Sequence, residues 1–594
     1  MESKIEYQIS VSKPNSGEIV WINNGLEEPK IYDIDNKYIR VKTENSDEEL
    51  IENKLKKMKL EDINNNVEQK FNIIEKENIF NERQMYGIKV IIKNILKIDD
   101  GNDLKSYITL TGGAGSGKSY TILNMFKYFT DIFKNFSICF CAPTNVIVQR
   151  CKEYESYISP YFAKTNYFTI SQLLGERMMY DNNGNQVFRR CKKNIPLNEH
   201  DIIIIDESSM IGDEKIQQIL KEYINNQGIC IFIGDKNQLN PVNETENKIL
   251  YNSHINLLTN MRCSKKLLNK IFDFIIREIE ICNSMNINYK VSMYNNFVGK
   301  LLEYINKKQN GKTLIYYDNE EQFINKFIDT YGSNDSIICN YTNKECKRLN
   351  NIIKDIVIDK YKIKIVDNKY YVGQQLIFNK RYELNGYSTS EIVKLDSIEM
   401  DEYKFKYIKI EDLYNINTED THFNIIISDF EYFNNIIFEK KIYNDLNKVI
   451  KVFNKYDDMG AYKLYIYNKN HPKDKTNYIY TLKSQEETIY NKFIESIKRS
   501  IEKLNRTYEN DKIIGDYIIS ALYKLLDKYR VNVFADINYG YNSTIHKIQG
   551  ISISYIFVNL TDINTMSNND LKNKLKLIYT SFTRCSKCLV IFKN

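Results

Sequence analysis

The chain has 594 residues, 42% of them hydrophobic, and a net charge of +6. That length is too great for one core, so several domains are required. The small charge excludes a general polycation, so any nucleic-acid contact must be a local groove. No apolar run approaches a membrane span and the N-terminus lacks a signal-peptide core, so an intracellular, soluble protein without a membrane partner is expected, in the cytoplasm or in a nucleus or viral replication site. The eleven scattered cysteines agree with a reducing compartment. Ile, Asn, Lys and Tyr dominate while Pro (7) and Gly (22) are scarce, which is the mark of an A/T-rich genome. The 46 tyrosines therefore read as codon bias rather than as a stack of base-binding rings.

Residues 1 to about 75 form a charged accessory region with strand-like alternation at Gly17–Ile22 and Lys37–Lys42 and a helical stretch over Asp47–Leu60. No chemistry attaches to it. Asn81 reads as the N-cap of a helix that carries Gln84. An amide there could donate to and accept from adenine's polar edge at once.

The central motif is Gly112-Gly113-Ala114-Gly115-Ser116-Gly117-Lys118-Ser119, between an apolar strand and a helix. It fits the phosphate-cradling loop G-x-x-x-x-G-K-[ST]. The glycines let successive N–H groups turn toward an anion. Lys118 can reach the β- and γ-phosphates of ATP, and the Ser119 hydroxyl can sit on Mg²⁺. Further on, Ala142-Pro-Thr144-Asn145 closes another apolar strand, and Thr169 precedes a short helix. Asn183-Gly184 is a two-residue turn signal, with Tyr180 and Phe188 in the flanking arms.

The buried run Ile202–Ile205 delivers Asp206 and Glu207. Asp206 is placed to hold the Mg²⁺ shell and Glu207 to take a proton from an attacking water. Gln238, after the strand ending in Asp235, can contact the γ-phosphate or that water, and Arg262 can neutralise developing phosphate charge. A second strand–loop–helix series from about residue 312 argues for a second α/β lobe. Within it, Val372 to about 480 turns to short alternating strands, and two helices follow, Ser484–Leu504 and Gly515–Tyr529. His546, Lys547, Gln549 and Gly550 form a phosphate- or base-facing loop, and Cys585-Ser-Lys-Cys588 reads as two half-buried thiols, not a zinc site.

This ordered set resembles the superfamily-one DNA helicases, in the branch that includes RecD and the phage helicase Dda. The likeness runs from about Asn81 to Phe592. Gln84 is similar to the family's adenine-contacting glutamine, Gly112–Ser119 to motif I, Ala142–Asn145 to motif Ia and Asp206–Met210 to motif II. Gly234–Val242 matches motif III, although Asn240 stands where the family more often has a second proline. Arg262 and Arg584 match the motif IV and motif VI arginines that contact the γ-phosphate, and Thr544–Gly550 matches motif V. That last spelling resembles the branch moving 5′ to 3′ rather than the UvrD-like branch.

The resemblance implies an α/β chain of two RecA-like P-loop NTPase lobes with parallel sheets. A β-hairpin is inserted in the first lobe, and a β-rich, SH3-like plus helical domain in the second. The implied boundaries are residues 76–265 for the first lobe, with its hairpin at about 176–198. The second lobe covers 266–386 and 536–594, and the inserted domain 387–535. Thr144, Asn145, Thr169, Thr544, His546 and Lys547 become candidates for a strand groove. The hairpin around Asn183-Gly184 becomes either a strand-separation pin with Tyr180 and Phe188 on its aromatic face, or an ordinary surface hairpin. The implied activity is ATP-dependent DNA unwinding with Mg²⁺, acting on single-stranded and on forked or tailed duplex DNA. A monomer working beside replication proteins such as a single-strand-binding protein is expected, in a viral or phage setting of replication, repair or recombination. An RNA helicase of the same superfamily stands as the alternative. A P-loop switch that does not unwind is the weaker one, since it would not need the blocks at 543–550 and 579–584.

Overall fold

The structure is a computed structural model. It describes residues 20–22, 30–32, 38–39, 64–98, 107–181, 185–190, 195–223, 228–241, 244–258, 266–285, 288–330, 335–382, 384–387, 389, 391–418, 440–467, 477–508 and 518–594. The chain divides into a unit over Met1–Glu77 and one over Asn78–Asn594. In the first, three short antiparallel strands, Val20–Ile22, Lys30–Tyr32 and Tyr38–Ile39, pair in that order. The expected helix at Asp47–Leu60 lies outside the described residues.

In the larger unit the first lobe is built on a six-stranded sheet. Its order is Ile255–Leu257, Tyr107–Gly112, Ile229–Gly234, Ile202–Ile205, Ser137–Ala142 and Lys164–Thr169. Every pairing is parallel. Continuous apolar runs such as Ile202–Ile205 suit this position, because helices cover both faces and no alternation is needed. Each strand then ends at the same edge, the edge where loops in open parallel sheets carry ligands.

A second all-parallel sheet holds Leu314–Tyr317, Cys585–Phe592, Ile553–Asn559, Ser336–Asn340 and Asn542–Thr544, in that order. Two parallel α/β lobes are thus present, as the resemblance implied. Cys585 and Cys588 are fully buried in this sheet, not half-buried as the sequence suggested.

Between the helix Asn343–Tyr361 and the strand Asn542–Thr544 the chain builds a five-stranded antiparallel sheet. Its order is Tyr478–Leu482, Asp458–Tyr467, Ile392–Lys404, Gln375–Phe378, Ile537–Tyr539. The inserted sheet therefore starts before residue 387 and closes after 535, because its last strand pairs back onto Gln375–Phe378. A helical layer with Lys440–Phe453, Glu487–Thr507 and Ser520–Leu526 packs on it. The buried Arg530 ties that layer down: its guanidinium donates to the carbonyls of Phe453 (3.0 Å) and Lys406 (3.0 Å).

The hairpin of the first lobe pairs Glu176–Tyr180 with Gln186–Arg190. Arg190 anchors its base by a two-pronged bond to Glu222, at 2.6 and 2.9 Å. Asn183 and Gly184 lie outside the described residues. Among the described residues no helix is long and apolar enough to cross a membrane.

Ile203 is 0% exposed at the middle of the first sheet. Ile203→Ala is expected to cost about 2–5 kcal/mol through lost burial and an unfilled cavity. A urea midpoint equal to the parent's would refute the assignment of that strand to the core.

Candidate functional site

The phosphate loop takes its shape from two left-handed glycines, Gly115 (φ 81°) and Gly117 (φ 84°). Gly112 is fixed by space: a Cβ there would lie 2.5 Å from Ser116 Oγ and 2.6 Å from the Leu257 carbonyl. The helix Lys118–Tyr128 begins at the loop, so its N-terminal dipole points at the same place. Lys118 Nζ donates to the carbonyls of Gly112 (2.8 Å) and Gly113 (3.2 Å), folded over the loop it would share with an anion. Ser116 Oγ is buried with no hydrogen-bond partner. Such a cradle fits a nucleotide's phosphates.

Asp206 and Ser119 line one recess, together with Arg150 and Phe140. Asp206 N–H donates to the Cys141 carbonyl at 2.8 Å, which fixes the carboxylate at the end of its strand. Burial raises the Asp206 carboxyl above its ordinary value, Glu207 adds to this, and Arg150 and Lys118 oppose it. A hard dication held by the Ser119 and Asp206 oxygens would relieve that burial, so the donor set fits Mg²⁺. Glu207 adopts φ 49°, a left-handed conformation that costs a non-glycine residue roughly 1 kcal/mol or more. Its Oε2 is buried and has no hydrogen-bond partner.

Across the cleft, the second lobe contributes the helix Leu571–Thr583. Arg584 caps its end and is 2% exposed. Burial lowers its guanidinium below the ordinary arginine value, while the Glu207 and Asp235 carboxylates oppose the shift, and its Nε donates to the Thr580 carbonyl at 3.3 Å. Tyr579 of the same helix donates to Asp235 Oδ2 at 2.9 Å and accepts from the Ala114 N–H at 3.3 Å. Gln238 Nε2 also donates to Asp235 Oδ2, at 3.2 Å, and Gln238 Oε1 is buried without a partner. Gly112, Gly113, Ala114, Ser116, Asp235 and Tyr579 line a cavity of about 440 Å³.

Ser119 and Asp206 thus share one recess, with Glu207 directly after Asp206; Lys118 and Gln238 bond to Gly112, Gly113 and Asp235, which line the second cavity, and Arg584 follows Thr583 of that lining. Arg262 lies outside the described residues. Gln84 is 1% exposed and forms a capping box with Asn81: its Oε1 accepts from the Asn81 N–H at 3.1 Å.

Thr144 and Asn145 are exposed at the start of the helix Asn145–Lys152. Thr169 caps the turn Ile170–Leu173. Thr544 is buried, with only its neighbours His546 and Lys547 partly open. All five openings stand at the carboxyl ends of strands. Gly550 (φ 83°) links the lobes directly, because its carbonyl accepts from Arg150 Nη1.

Tyr180 departs from the expected exposed aromatic face. It is 6% exposed and stacks on Tyr523 of the inserted domain, with ring centroids 5.6 Å apart. Its hydroxyl accepts from Gln186 Nε2 at 3.1 Å. A large ring beside an apolar helix is more stable buried than facing water. Phe188 alone keeps an open ring, 60% exposed, with Lys215 Nζ 5.7 Å from its centroid.

Sequence reasoning missed Tyr579, Asp235, Arg150 and a cluster around Glu246. Glu246, between the first lobe's strands, accepts from Lys572 (2.9 Å), Lys576 (3.1 Å) and Tyr251 (2.7 Å). A signal was available: Lys572, Lys576 and Tyr579 recur at i, i+4 and i+7, one stripe of a single helix.

Fold and loop together define a P-loop nucleotide-binding protein with two parallel α/β lobes. Residues 102–244 match the family described as an AAA domain. The chain is 27% identical over 557 residues to an uncharacterized protein of Acanthamoeba polyphaga mimivirus, covering 86% of this chain and 99% of that relative. Among solved structures it is similar to a Pif1 helicase from Candida albicans (TM-score 0.37, 12% identity, 87% and 95% of the two chains). It is also similar to a Pif1 helicase from Bacteroides in complex with ADP-AlF3 and ssDNA (TM-score 0.36, 13% identity, 85% and 91%).

Burial alone would push the Glu246 carboxyl up, but Lys576, Tyr251 and Lys572 outweigh it and bring it from 4.5 to about 2. A depressed carboxyl stabilises the fold above its unfolded value, and that contribution fades as pH falls toward the folded one. Glu246→Gln is expected to cost about 1–3 kcal/mol at pH 7. The gap from the parent, followed by urea denaturation, should close as pH falls from 4.5 toward about 2. A gap that stays constant with pH would mean that the carboxylate charge plays no part.

Proposed function

We propose that this protein is an ATP-driven DNA helicase of the superfamily-one, RecD/Dda-like kind, moving 5′ to 3′ on single-stranded DNA. The observation that carries the reading is the shared cleft. The phosphate loop and the carboxylates come from one lobe, while Tyr579 and Arg584 come from the other, buried against them. A site split in this way makes lobe closure depend on what fills the cleft, which is how hydrolysis becomes movement.

Within that reading each group has a task. Lys118 and the loop N–H groups hold the β- and γ-phosphates, and Ser119 and Asp206 hold Mg²⁺, which supplies charge neutralisation at the phosphates when bound. Glu207 Oε2 takes a proton from the attacking water, and Gln238 Oε1 orients that water. Arg584, and Arg262 by its place in the order of motifs, meet the charge on the departing phosphoryl group.

The DNA strand is assigned to the carboxyl-end openings at Thr144, Asn145, Thr169, His546 and Lys547, with Thr544 supporting them from beneath. Burial lowers His546 below its ordinary value, so it is neutral near pH 7 and grips by polar contact. Polar contacts to backbone give hold without sequence preference. The hairpin at 176–190 is assigned to strand separation, with Phe188 as its open ring and Tyr180 as the anchor that keeps it against the inserted domain.

Two tests address this reading. Glu207→Gln should retain ATP binding and lose hydrolysis, while Lys118→Ala loses both; near-parental turnover by Glu207→Gln would remove Glu207 as the base. Strand displacement should require a 5′ single-stranded tail and favour DNA. Equal activity on 3′-tailed duplexes would overturn the polarity, and a strong preference for RNA would make it an RNA helicase.

A further inference from the structure

Tyr579 belongs to the second lobe, yet its hydroxyl lies at the mouth of the first lobe's phosphate loop. It accepts from the Ala114 N–H at 3.3 Å and donates to Asp235 Oδ2 at 2.9 Å. A Cβ built on Gly113 would stand 3.2 Å from the same oxygen, so the loop at this point is cut to admit the tyrosine. Asp235 in turn accepts from Asn237 N–H through Oδ1 (3.0 Å) and from Gln238 Nε2 through Oδ2 (3.2 Å). One chain of hydrogen bonds therefore runs from the phosphate loop through the second lobe to Gln238, whose Oε1 is left buried and unpartnered.

Only a neutral hydroxyl can accept at one side and donate at the other. Burial, with Asp235 beside it, raises the Tyr579 phenol well above its ordinary value and keeps it in that form. Phenylalanine would fill the same volume and make neither bond. The ring also sits four residues before Thr583, which lines the same cavity, and five before Arg584. Any shift of Tyr579 is thus transmitted along a rigid helix to the arginine.

We propose that Tyr579 is a positioning residue that holds the Ala114 N–H while the loop is empty and yields it to a nucleotide phosphate. Giving up that bond loosens its hold on Asp235, and so sets the orientation of Gln238 by whether the loop is filled. The inference rests on the nucleotide reading of the loop and adds to it a competition between a side chain of the second lobe and the ligand.

The binding measurements use the full chain without nucleic acid. Mg·ADP and a non-hydrolysable ATP analogue are titrated calorimetrically into the parent, Tyr579→Phe and Lys118→Ala, with melting temperatures recorded alongside. Removing a competing hydrogen bond is expected to tighten nucleotide binding by about three- to tenfold in Tyr579→Phe. In a separate steady-state assay with single-stranded DNA added, kcat should fall together with KM, because Asp235, the partner of Gln238, loses the Tyr579 bond that helps to fix it. Unchanged or weaker binding by a normally folded Tyr579→Phe would overturn the proposal. Should that variant melt early, Asp235→Asn keeps the ring and weakens the bond that aims its hydroxyl, together with the bonds from Asn237 and Gln238. It must tighten binding in the same direction, and unchanged binding there overturns the proposal equally. Failure of the underlying reading looks different: the parent itself would then show no Lys118-dependent nucleotide binding.

Discussion

Glu207 enters the cleft in a left-handed backbone conformation with one carboxylate oxygen buried and unpartnered, and beside it Asp206 is held where burial opposes its charge. Neither condition is stable in a loop free to relax, since an unpaired polar atom seeks water and a strained residue seeks another well. Both persist because the residues just before them are paired on two sides within a buried parallel sheet: Ile202–Ile205 runs between the strands at 137–142 and 229–234. The rest of the site depends on that rigidity. The phosphate loop, the Asp206 recess and the Asp235 turn all leave the same sheet at the same edge, so their spacing is set by strand separation and not by side-chain reach.

The second lobe completes the site by charge as well as by shape. Arg584 is buried within the field of the first lobe's Glu207 and Asp235, and Lys576 and Lys572 meet Glu246 about two and three turns further back along the same helix. These contacts lie between lobes, where separation exposes each ion to water again. Parting the lobes would exchange these part-buried contacts for hydrated ions, with a net free energy small compared with either term.

The hairpin shows the same logic at the other side of the first lobe. Its base is fixed by Arg190 and Glu222, and its arm by the Tyr180–Tyr523 stack on the inserted domain. An isolated two-stranded hairpin is marginal in water. Clamped at both places, it becomes a stiff projection whose open ring is Phe188.

The sequence by itself determined the phosphate loop, the carboxylate pair after Ile202–Ile205 and the two-lobed α/β plan, because each is local: glycine torsions, an apolar run and the strand–loop–helix order need no distant partner. It also indicated the hairpin, but its arms pair about residue 183, one residue out of step with a two-residue turn at Asn183-Gly184. Which face of that hairpin is open, the partners of Glu246, the depth of Thr544 and the place of Tyr579 were decided only by the tertiary structure. Each depends on segments far apart in the chain, 465 residues for Ala114 and Tyr579. The edges of the inserted domain belong to this second group, because a three-residue strand at 537–539 shows no signal of its own and is a strand only through pairing with 376–378. Local preference chose what each segment could be; burial against remote neighbours chose what its side chains do.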